Sequence, residues 1–164
     1  MILLVLVLIL TVPFFVLTIA DRFIPGVKVA TATRGRIGLS LLFLFTGVGH
    51  YTQTLGMAQM VPPFLPYPVE TIYVTGVFEL IGAVGLWIPA LLRLTGIALI
   101  LMLISFLPIN FYAAFNYVDF GGHGFGPFYL LVRVPYQILL IWWTYKATGQ
   151  HWLNQLPVKV TANN

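Results

Sequence analysis

Apolar residues run in long stretches along this chain, and short segments between them hold most of the charge. The first stretch, MILLVLVLILTVPFFVLTIA, fills residues 1–20, the roughly 20 residues that a helix needs to cross a hydrocarbon core. Four more follow at about 36–56, 69–89, 92–117 and 127–148. None shows the alternating polar and apolar pattern of a barrel strand, so the pattern predicts an all-α integral membrane fold with five spans.

The connections give the expected orientation. Arg22, Lys28, Arg34 and Arg36 cluster after the first stretch, and Arg93, Lys146, His151 and Lys159 fall on the same side of the alternation. Glu70 and Asp119 fall on the other. The positive-inside rule then sets the N-terminus outside and the C-terminus in the cytoplasm of a multi-pass cell-membrane protein. Trp87, Trp142 and Trp143 lie near the inner interface and Tyr51, Tyr67, Tyr117 and Tyr129 near the outer one, where amphipathic rings concentrate. A signal peptide carries its positive charge before the apolar run; here the charge comes after it, and residues 1–20 read as an uncleaved anchor. The expected organisation is an anchor at 1–20, a basic cytoplasmic loop at 21–35, a four-helix bundle at 36–148 and a cytoplasmic tail at 149–164.

Composition agrees with lipid as the main solvent: 60% of residues are apolar, 7% are charged and the mean hydropathy is +0.97. The formal charge of +4 points to no nucleic acid, because no basic patch interleaved with stacking aromatics accompanies it. With no cysteine, the chain has no disulfide, thiol relay, iron–sulfur cluster or thiolate zinc site.

Polar residues inside the apolar stretches narrow the picture further. An ionisable side chain at the bilayer centre costs about 2.5 to 3.5 kcal/mol on the insertion scale, so each needs a reason. His50, Glu79, Asn110 and Arg133 come from four different stretches and fall at one level, roughly 9 to 14 Å below the outer surface at the helical rise per residue. Glu79 shares its helix face with Thr75, Gly76, Gly82 and Ala83, small residues that admit a neighbouring helix. The simplest expectation is a buried Glu79–Arg133 salt bridge, with Gln137, Asn110 and His50 completing its hydrogen bonds. The alternative is an outward-facing cavity that takes a lipophilic ligand with a polar head.

Weaker candidates surround this cluster. The loop MVPPFLPYP, with Pro62, Pro63, Phe64 and Pro66, reads as a kinked, partly inserted connection and a candidate lid. His123 and Asp119 in the glycine-rich loop DFGGHGFGP read as surface residues, with no metal site expected. His50 is then the one buried histidine, which leaves no bis-histidine haem, and no catalytic residues are assigned.

The segments RGRIGLSLLFLFTGVGHY, MVPPFLPYP, GVFELIGAVGLWIP, PINFY and RVPYQILLIWW, in this order, resemble the DoxX-like family of small four-helix membrane proteins over about residues 34–148. The pattern matches at Arg36, His50, Pro62, Pro63, Pro66, Glu79, Pro108, Asn110, Arg133, Pro135 and Gln137. The helix at 1–20 is an addition to that unit. The resemblance implies a membrane subunit linked to quinone-coupled or oxidative-stress complexes, or an assembly factor. The leading expectation is therefore a small non-catalytic subunit or assembly partner of a larger membrane complex, surrounded by lipid and other membrane subunits. A quinone-linked oxidoreductase component is the alternative, with the head group between Glu79, Arg133 and His50 and the electrons supplied by a partner. A transporter or proton path ranks third, since one polar layer with no inner continuation makes a poor path.

Overall fold

A computed structural model describes residues 2–26 and 28–153, with backbone alone for 150–153. Most of the expected cytoplasmic tail, Lys159 included, lies outside the described residues. The elements are α1 (Ile2–Phe23), α2 (Thr31–Thr52), the short α3 (Thr54–Ala58), α4 (Pro68–Gly85), α5 (Leu92–Phe115), a 3₁₀ segment (His123–Tyr129) and α6 (Leu130–Leu153), with no strand among the described residues.

Among the described residues four stretches are long and apolar enough to cross a membrane: Ile2–Phe23, Pro68–Gly85, Leu92–Phe115 and His123–Gly149. Helix α2 has the length but is more polar, carrying Arg34, Arg36, Ser40 and His50 among four glycines. Its polar groups turn inward: Arg34, Ser40 and His50 are all buried. A helix clothed by other helices need not be as apolar as one facing lipid. Its end also differs from the expected 36–56, because the chain leaves helical geometry at Gln53 and restarts as α3.

The long helices pack antiparallel, α1 on α2, α2 on α4, α4 on α5 and α5 on α6, with α6 returning to α2. Small residues set the close approaches. The Leu10 carbonyl sits against Gly38, Leu80 against Gly47, Leu99 against Gly82 and Thr148 against Gly96. Ser40 donates to the Ala83 carbonyl at 3.0 Å and accepts from the Trp87 indole at 2.8 Å, which fixes α2 against the end of α4. Leu6 and Leu10 of α1 join the same core as Leu39, Leu42, Phe43, Leu99, Leu103 and Leu140.

This winding gives the molecule two unlike ends. One collects Arg22, Lys28, Arg34, Arg36, Arg93 and Lys146; the other holds α3, the proline-rich segment and the 3₁₀ segment, with Glu70 and Asp119. At the basic end, α1 runs on to Phe23 and α2 starts at Thr31, so the connection is shorter than the 21–35 loop. Arg34 clamps it, donating to Asp21 at 2.6 Å, Thr18 at 3.1 Å and the Val29 carbonyl at 2.9 Å.

Candidate functional site

Gly76 of α4 lies against the His50 Cβ and the Gly47 carbonyl, and this contact sets the register between α2 and α4. One helical turn further along α4, Glu79 meets the His50 ring, its Oε1 at 3.6 Å from Nε2. Both side chains are buried. His50 Nδ1 lies 2.9 Å from the Ile72 carbonyl and 3.1 Å from the Thr75 hydroxyl. The other Glu79 oxygen, Oε2, has no hydrogen-bond partner.

The expected Glu79–Arg133 salt bridge is not formed. Arg133 instead donates its Nε to Asn110 Oδ1 at 2.9 Å. Asn110 is held by its own amide donating to the Phe106 carbonyl at 2.6 Å, and the Arg133 guanidinium lies over the Tyr136 ring, 5.6 Å from its centre. α4 packs chiefly on α2 and α6 chiefly on α5, which sets Glu79 beside His50 and Arg133 beside Asn110. Gln137 does not join the cluster either. It donates to the Leu103 carbonyl at 2.6 Å and ties α6 to α5, with its Oε1 left unpartnered.

His123 corrects the expectation of a single buried histidine. The glycine-rich loop turns back on itself through positive φ at Gly121 (63°), Gly122 (104°) and Gly126 (66°), conformations that residues with a Cβ rarely adopt. His123 is thereby buried at 3% exposure, edge-on to Tyr129 at 4.6 Å. Its Nε2 lies 3.1 Å from Asn110 Oδ1 and its Nδ1 2.9 Å from the Phe120 carbonyl. The glycines flanking a lone histidine were the available signal. Among the described residues no three His, Cys, Asp or Glu side chains group to hold a metal ion.

Glu79, His50, Asn110, His123, Arg133 and Tyr136 all face one cleft of about 890 Å³. Its walls are otherwise largely apolar, with Leu42, Phe43, Leu103, Phe106, Ile109 and Leu140. Ile2, Leu3 and Leu6 of α1 contribute one side, and the exposed side chains of Leu44, Phe45 and Val48 mark where it meets the surroundings. Of the segment MVPPFLPYP, Met60 lines the cleft and the four lid candidates do not. Pro62 is fully buried, Pro63, Phe64 and Pro66 are exposed, and none of them lines the cleft, whose end is formed by Met57, Met60, Phe120 and Gly121. The turn from Pro62 to Leu65, closed at 3.0 Å, directs Phe64 outward.

The arrangement offers an apolar slot with polar groups gathered in one region. Tyr136 adds a buried hydroxyl without a partner. No curated protein and no solved structure matches the chain. A family model described as Domain of unknown function (DUF8561) matches residues 39–148, which take in α2 from Leu39 through most of α6 and all six of these polar residues. With more than half of its length matched, the chain belongs to that family.

Proposed function

We propose that this is a five-span membrane protein of DoxX-like architecture, in which α2 crosses together with the four apolar helices, and that it binds a lipophilic molecule with a polar head in the cleft. One observation carries the reading: Glu79 and Arg133 both face the cleft, are not paired with each other, and keep hydrogen-bonding capacity unused. A purely structural ion pair would close on itself. Binding sites of this kind are concave and mainly apolar, with a few placed polar groups, and about 300 to 1,000 Å³ is the usual size.

The protein acts in this reading as a non-catalytic binding subunit of a larger membrane assembly. A quinone is one fitting occupant: its carbonyl would accept from Arg133 or Tyr136, and the His50–Glu79 pair would exchange a proton with it. Electrons would come from a partner, since the chain supplies no electron-carrying side chain of its own.

Native mass spectrometry of the protein from mild detergent tests this. Wild type is expected to carry a lipophilic adduct that the Glu79→Gln and Arg133→Gln variants lose or hold weakly. Bare wild-type mass, with no thermal stabilisation on adding back a total lipid extract, would overturn the reading.

A further inference from the structure

Building on that reading of the cleft, we infer that the ligand's head group is anionic, so that the site takes a phosphate or carboxylate carried on a hydrocarbon tail.

The Ile72 carbonyl can only accept, so His50 Nδ1 carries a proton and its Nε2 faces Glu79. Glu79 sets one oxygen 3.6 Å from His50 Nε2, so its buried carboxyl has an ionisable partner in His50.

Arg133 has no such compensation. Among the described residues no carboxylate lies within 4.0 Å of it. Its Nε is used on Asn110, and its two terminal nitrogens have no acceptor there. The remaining groups facing it cannot supply negative charge. Asn110 is neutral, its orientation set by the Phe106 carbonyl. The ring nitrogens of His123 lie beside the Phe120 and Asn110 oxygens, and an imidazole ring supplies no negative charge there. Asp119 and Glu70 are exposed. A guanidinium facing an apolar cleft without a counter-ion is unfavourable, and an anion at its terminal nitrogens relieves it with charge-assisted bonds.

The tail follows from the walls. Beyond the cluster the cleft is lined by Leu, Phe and Ile, and it meets the surroundings at Leu44, Phe45 and Val48. That lining suits a hydrocarbon chain and makes a poor solvation shell for a small hydrated ion.

The test uses the purified full-length protein in nanodiscs of neutral phosphatidylcholine, with radiolabelled oleyl phosphate as probe and oleyl alcohol and inorganic phosphate as competitors. Oleyl phosphate is expected to bind about tenfold or more tighter than oleyl alcohol, because a buried charge contact is at stake. Arg133→Gln is expected to bring the two to equal affinity and Arg133→Lys to restore part of the difference. Val48→Trp, at the opening, is expected to weaken both. Equal binding of both probes to wild type would overturn the anionic head while leaving the cleft as a lipophilic site. Full displacement by inorganic phosphate would overturn the tail. No binding of either probe to folded protein would overturn this inference and the proposed function together.

Discussion

Asn110 shows what a single residue decides in this site. It joins three elements, accepting from Arg133, facing His123 and anchoring itself on α5 through the Phe106 carbonyl. An aspartate there would supply the counter-ion that Arg133 lacks. Asn110→Asp is therefore expected to raise the unfolding temperature in detergent and to abolish the preference for oleyl phosphate over its alcohol. A retained preference would mean that Arg133 does not recognise the head group. His50, Glu79, Asn110 and Arg133 were legible in the sequence because polar groups in apolar stretches are rare. Their partners were not. Pairing depends on inter-helix register, which Gly76 fixes by letting α4 approach His50, and no helical spacing within one stretch reports it. His123 was hidden for another reason: a DFGGHGFGP loop reads as surface until the positive φ of Gly122 and Gly126 folds it inward.

At the scale of elements, glycine-lined seams hold the helices together. A Cβ at Gly82 would come within 2.6 Å of Leu99, and at Gly85 within 2.5 Å of the Thr95 hydroxyl. Without a hydrophobic driving force between helices in lipid, such close packing carries much of the association. Gly82→Leu, which overfills the α4–α5 seam, is expected to destabilise the protein by about 1 to 3 kcal/mol, measured by steric trapping or denaturant titration in micelles. An effect near zero would show that the seam can spread at no cost. The apolar lengths located α1, α4, α5 and the body of α6 from sequence. They did not show the break at Gln53 or the 3₁₀ entrance to α6, which depend on backbone geometry at Gln53 and Gly126. For α2 length and polarity disagree: its buried Arg34, Ser40 and His50 are clothed by α1, α4 and α6.

For the whole molecule, the segregation of charge is the clearest feature, with six basic side chains at one end and Glu70 and Asp119 at the other. The cysteine-free sequence makes its direction in the membrane directly measurable. Single cysteines at Lys28 and Arg93 are expected to react with an impermeant maleimide only after the cytoplasmic face is opened, and cysteines at Glu70 and Asp119 in intact cells. Labelling of all four from one side would defeat the five-span arrangement. The opening of the cleft at Leu44, Phe45 and Val48 has a further consequence. A site that exchanges its occupant sideways with the bilayer responds to the mole fraction of that molecule in the surrounding leaflet, not to its dissolved concentration in water. Occupancy would then report lipid composition, and a weak intrinsic affinity would suffice wherever the ligand is an abundant component of the leaflet.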